Sequence, residues 1–182
     1  AEELQVSSEL EALHVQAHGR EIIELENALS KHAAANAVLV GEPGVGAMTT
    51  VLGFAARVGE GRSVRHLNFK RVLKLNLDAV LSERRERILE VLGRILREAE
   101  LAGNVILVID SVHLYLTPGA TDPNIVEVLL PYLKSTPVHF IGLTTPGGGI
   151  RWSSICSCCS RWCRSRNWWC CCSSTMRSRH SQ

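Results

Sequence analysis

Val105-Ile106-Leu107-Val108-Ile109 is an unbroken apolar run, rich in β-branched residues, and it ends on an acid, Asp110. A strand with no polar alternation has no face to give to water. The run therefore predicts an interior strand of a parallel sheet with helices packed on both sides. The rest of the chain alternates to match. Val38-Leu39-Val40 is a short strand pattern, Val72 to Leu77 a second, and Val138 to Leu143 the last. Between them, Gly19 to His32 predicts a helix with Ile22, Leu25, Glu26 and Leu29 on one face. Residues 47–58 are helical in character. Glu83 to Leu101 carries Ile88, Val91, Leu92, Ile95 and Ala99 at helical spacing, with Glu83–Arg87 and Glu90–Arg94 as favourable i,i+4 pairs. Asp122-Pro123 supplies a cap and a first-turn proline for a helix reaching about Lys134. The expected fold is α/β, with a parallel sheet covered on both faces, three layers deep. Val105–Ile109 is expected at its centre, beside Val38–Val40.

Composition is informative only once the chain is divided near residue 150. All 7 cysteines and all 4 tryptophans fall within residues 151–182, together with six arginines and no acid. Residues 1–150 then hold 14 Lys and Arg against 18 Asp and Glu, so the overall +2 is a property of the tail. An acidic body argues against nucleic acid as a partner. No apolar run approaches the ~20 residues of a membrane helix, so no membrane association is expected. Ala1-Glu2-Glu3-Leu4 lacks the basic start and apolar stretch of a secretory signal. A body free of cysteine makes no case for an oxidising compartment, and a cytoplasmic location is expected. A start at Ala1 rather than Met fits a processed chain or a fragment. The expected organisation is one domain over 1–146, led by residues 1–17, and a separate tail over 147–182.

The chemistry is written at the end of the first strand pattern. Glycine-rich turns between a strand and a helix bind phosphate because bare backbone N–H groups converge where the helix dipole is positive. The full pattern is G-x-x-x-x-G-K-[ST]. Gly41 and Gly46 have its spacing, with Glu42, Pro43, Gly44 and Val45 between them. The lysine position holds Ala47 and the hydroxyl position Met48; Thr49 and Thr50 come one and two residues late. Six residues of this kind also make plain structural turns. The second motif shifts the weight: an apolar strand ending in Asp110 is the pattern that sets a carboxylate beside magnesium. The next position, where a water-polarising glutamate would stand, is Ser111.

Taken together, Gly41-Glu42-Pro43-Gly44-Val45-Gly46, Ala102-Gly103-Asn104-Val105 through Asp110-Ser111-Val112-His113, and Ile141-Gly142-Leu143-Thr144-Thr145 resemble the first ATPase module of Clp-type unfoldases and disaggregases, of the AAA+ class. Gly19-Arg20-Glu21 resembles the segment that sits by the adenine in that family, and Leu129-Leu130-Pro131 its proline-containing helix. The similarity covers residues 14–145. It implies a P-loop NTPase fold and a site for ATP or ADP with Mg2+, built from Gly41, Glu42, Pro43, Gly44, Val45, Gly46, Ala47, Met48, Thr49, Asp110 and Thr145. Asp110 would face the metal, and Thr144 or Thr145 would sense the γ-phosphate. It also implies other AAA+ subunits in a homo- or hetero-oligomeric ring as partners, and protein clients. The departures matter as much. Ala47 stands for the phosphate-binding lysine, Met48 for the magnesium-binding hydroxyl and Ser111 for the catalytic glutamate, so no catalytic residue carries over. Thr49 with Asp110 re-registered on the metal is the alternative. His18 replaces an aliphatic residue against the base. Leu77 to Ser82 runs straight into Glu83-Arg84-Arg85 with no aromatic pore-loop segment.

The histidines of residues 1–150, His14, His18, His32, His66, His113 and His139, form no ligand spacing, and His113 is expected to be structural. The tail shows no periodicity of 2 or 3.6, and neither an arginine finger nor a helical lid can be found in it. An aberrant terminus leads the readings of it. A zinc site on Cys156, Cys159 and Cys163 and a basic, aromatic nucleic-acid arm are the alternatives. For the whole chain three readings stand: a Clp-like module that has weakened or lost hydrolysis, an active ATPase relying on partner subunits, and a non-functional product.

Overall fold

A computed structural model of the chain describes residues 2–3, 18–30, 36–82, 85–116, 125–135, 138–146 and 170–171. The strands are β1 Glu2–Glu3, β2 Ala37–Val40, β3 Arg71–Leu75, β4 Val105–Ile109, β5 His139–Thr144 and β6 Cys170–Cys171. The helices are α1 Gly19–Leu29, α2 Ala47–Gly59, α3 Leu77–Leu81, α4 Arg85–Ala102, α5 His113–Leu116 and α6 Ile125–Ser135.

The sheet runs β1-β3-β4-β5-β2-β6. Its four inner strands, β3-β4-β5-β2, are parallel, as the βα alternation requires. The two-residue strands β1 and β6 pair antiparallel with its edges. Alternate residues of β4 feed two cores. Val105, Leu107 and Ile109 join Ile88, Leu92 and Leu96 of α4 and Ile125 and Leu129 of α6. Ile106 and Val108 join Ile22, Leu25 and Leu29 of α1 and Val51, Phe54 and Val58 of α2. This is the expected three-layer α/β/α arrangement. Among the described residues, no helix is long and apolar enough to cross a membrane.

Three expectations need correction. β4 is interior, but its neighbours are β3 and β5; β5 separates it from β2. Both β4 and β5 are buried along their whole length, so apolar character alone cannot decide which of them lies beside the glycine loop. The second strand stops at Leu75 rather than Leu77, because the Asn76 side chain turns back to accept the Ala79 N–H at 3.0 Å and caps α3. The first helix ends at Leu29, short of His32, where the Ser30 hydroxyl donates to the Glu26 carbonyl at 2.6 Å. The Asp122-Pro123 cap, Glu83 and the zinc-spaced cysteines lie outside the described residues. So does the tail, apart from Cys170–Cys171, whose backbone pairs with Ala37–Val38. Pro131 sits inside α6 as expected.

Two contacts fix α1 against α2. A Cβ on Gly53 would stand 2.6 Å from Ile22 Cδ1, so the absence of a side chain there gives the end of Ile22 its place between the two helices. Beside it, Arg57 Nε donates to the buried Glu26 carboxylate at 2.8 Å. A carboxylate taken out of water needs such a partner. The pair ties the C-terminal part of α1 to that of α2.

Candidate functional site

Strands β2, β5 and β4 lie side by side and end at the same edge, which is where parallel α/β sheets place their ligands. The first glycine is tied there by its own backbone: Gly41 N–H donates to the Thr144 carbonyl at 3.0 Å. The chain then turns with Gly44 at φ 87° and Gly46 at φ 92°, both in the left-handed region. Gly46 caps α2, whose first residue is Ala47, so the free N–H groups of the loop and first turn open outward at the positive end of a 13-residue helix. Gly46 also makes room. A Cβ there would lie 2.7 Å from His18 Nε2, and the imidazole rests against the loop in the space that its absence leaves.

Above the loop is a cleft of about 460 Å³. Its walls bring together Gly41, Glu42, Pro43, Gly44, Gly46, Ala47, Met48 and Thr49 from the loop and helix start. Asp110 and Ser111 join them from the end of β4, and Thr144 and Thr145 from the end of β5. Every sequence-derived site residue except Val45 is thus gathered in one place; Val45 is partly exposed beside it. Thr49 faces the cleft, whereas Thr50 is buried and turns its hydroxyl back to the Gly46 carbonyl at 3.2 Å. Ser111 has φ 49°, an uncommon conformation for a residue with a side chain. It lets Val112 N–H reach the Leu143 carbonyl at 2.9 Å and turns the chain across the end of β5.

Two residues escaped the sequence reading. His113, expected to be structural, lines the cleft, with Nδ1 3.0 Å from Thr144 Oγ1. Lys74, on β3, reaches Asp110 Oδ2 with its Nζ at 3.3 Å. Parallel register places Lys74 opposite Val108, so its side chain spans toward the strand end. A lysine within a half-buried strand is a compositional oddity, and it was the one signal available. Nearby, Tyr115 donates to Asp78 Oδ1 at 2.6 Å. Burial, then the bond to Asp78 and its charge, then the charge of Asp110, push the Tyr115 phenol well above its ordinary value.

The cleft is suited to an anion through backbone groups. No lysine or arginine is among its lining residues, and Glu42 and Asp110 are its acids. The side chains do not fit the magnesium that the resemblance implies. The Met48 thioether is no ligand for a hard cation, and the Asp110 carboxylate is already paired with an ammonium group. Among the described residues, no group of three or more His, Cys, Asp or Glu side chains is placed to hold a metal.

No family model matches the chain. The chaperone protein ClpB of Wolinella succinogenes is 33% identical over 129 residues, which cover 69% of this chain and 15% of the relative. The ATP-dependent Clp protease ATP-binding subunit ClpC of Staphylococcus aureus is 33% identical over 130 residues, covering 69% of this chain and 16% of the relative. The chain thus spans under a fifth of the length of these curated relatives. Among solved structures, a closed-state reconstruction of Hsp104 with ATPγS and FITC casein matches 80% of this chain and 27% of its own, with TM-score 0.62 and 22% identity. The Hsp104–ADP complex of S. cerevisiae matches 76% of this chain and 24% of its own, with TM-score 0.59 and 24% identity. The structural likeness speaks for the fold. Together with the sequence relatives it supports a Clp-type AAA+ module.

Proposed function

We propose that this chain is a Clp-like AAA+ nucleotide-binding module with weakened or lost ATP hydrolysis, working in or regulating a cytoplasmic protein-remodelling assembly. One observation carries the reading. The glycine loop, Asp110 and the Thr144–Thr145 pair converge on one cleft, while Ala47, Met48 and Ser111 occupy the positions where lysine, hydroxyl and glutamate would act. The backbone half of phosphate recognition is present and the side-chain half is not.

Loss of a charged donor to phosphate forfeits roughly 1.5–3 kcal/mol, about ten- to a hundred-fold in affinity. Loss of a water-activating group slows the chemical step by about 10²–10⁴. Adenine nucleotide is the ligand that this reading favours, because the ClpC relative is named as an ATP-binding subunit. Other AAA+ subunits are the partners that the resemblance favours. Protein clients would be handled without an aromatic pore segment on this module, since Leu77–Leu81 is taken up by the capped helix α3.

The test is nucleotide binding and turnover by the full chain beside an Ala47→Lys, Met48→Thr, Ser111→Glu variant. Measurable binding with negligible turnover, and a gain of both in the variant, are expected. Turnover by the unmodified chain alone would favour a working ATPase, and turnover only on adding a Clp-type partner would favour a subunit completed in trans. Absence of binding would favour a product without this function.

A further inference from the structure

We infer that Lys74 serves Asp110 as a built-in counter-cation, so that the cleft takes a nucleotide's phosphates as the metal-free anion. The inference rests on the nucleotide-binding reading and specifies its form. A carboxylate at the mouth of a phosphate cleft repels its ligand unless a cation covers it. Asp110 lines the cleft, and no cleft-lining residue is a lysine or arginine. Lys74 Nζ lies 3.3 Å from Asp110 Oδ2, close enough to neutralise it.

Lys74 reaches Asp110 from β3, the neighbour of β4 on the side away from β5, and is not among the lining residues. It is therefore no replacement for the missing loop lysine. Its part is to hold the charge of Asp110, which a divalent ion would otherwise do. Magnesium entering the site would have to break this pair and would gain no hydroxyl from position 48 in return. The pair is partly open to water, with the two side chains 32% and 46% exposed, so its fold-stabilising worth is small. The surroundings add a second acid on the same side: Asp78, bonded to Tyr115, whose phenol also feels the charge of Asp110.

The experiment is calorimetric titration of ATP into the full chain, once in excess EDTA and once in excess Mg2+, for the unmodified protein, Lys74→Met and Lys74→Arg. The unmodified chain is expected to bind at least as tightly in EDTA as in Mg2+. Lys74→Met is expected to lose about tenfold in EDTA and to regain affinity with Mg2+, because an uncovered Asp110 repels phosphate but accepts the metal. Lys74→Arg keeps the charge and should keep the behaviour of the unmodified chain, which separates charge from a folding defect. Binding that requires Mg2+ in the unmodified chain, or an EDTA affinity untouched by Lys74→Met, overturns this inference while leaving the nucleotide-binding reading in place. No binding in either buffer overturns both.

Discussion

Gly46 shows how a single residue couples the ligand loop to the helix above it. Alanine there would sit at φ 92° and press on His18 Nε2. The left-handed conformation costs a side chain roughly 1–2 kcal/mol. Gly46→Ala is therefore expected to lower stability by more than about that amount, the His18 contact adding to it, and to weaken nucleotide affinity. Adding His18→Ala should relieve the contact and leave the backbone cost, as read from denaturant midpoints of the single and double variants. Residues such as Gly41, Gly46, Asp110 and Thr144 were legible in the sequence because each is fixed at the end of a strand by local spacing. Lys74 was not, because its partnership with Asp110 depends on which strands are neighbours and in what register. The contact of His113 was hidden for the same reason: the hydroxyl beside it belongs to β5, distant in sequence.

At the scale of elements, hydrophobic periodicity located every helix of the two covering layers that carries a long apolar face. It could not resolve the order of two strands buried alike, nor foresee that Asn76 would end β3 by capping α3. Two element contacts can be tested. Glu26 is 4% exposed and is held by Arg57. Arg57→Met would leave it uncompensated and is expected to cost about 2–3 kcal/mol, discounted from a fully buried pair because Arg57 meets water. Equilibrium unfolding in denaturant reads this directly, and an unchanged midpoint would show that α1 is held by packing alone. The Tyr115–Asp78 bond joins α5 to α3. A phenol raised in the folded state contributes stability that is complete below its ordinary 10.0 and is lost as pH climbs above it. Tyr115→Phe is expected to cost about 1 kcal/mol at neutral pH and to flatten the alkaline decline. An equal decline in both proteins would assign it to other groups.

For the molecule as a whole, the break near residue 150 marks where fold-directing pattern ends. The pairing of Cys170–Cys171 with Ala37–Val38 adds a two-residue edge that no period in the tail announced. Such an edge carries few contacts, so removing residues 151–182 is expected to change stability by less than about 1 kcal/mol. A large fall in melting temperature would make the tail part of the domain.

The central claim is that this cleft retains nucleotide while its hydrolytic chemistry is gone. A single calorimetric titration of ATP into the full chain, in magnesium buffer, reads both halves. A weak saturating isotherm with no sustained heat after each injection is the expected result. Continuous heat release equivalent to about one or more turnovers per second, the lower range of working enzymes, would contradict it, as would no binding heat here and none on repeating the titration in EDTA.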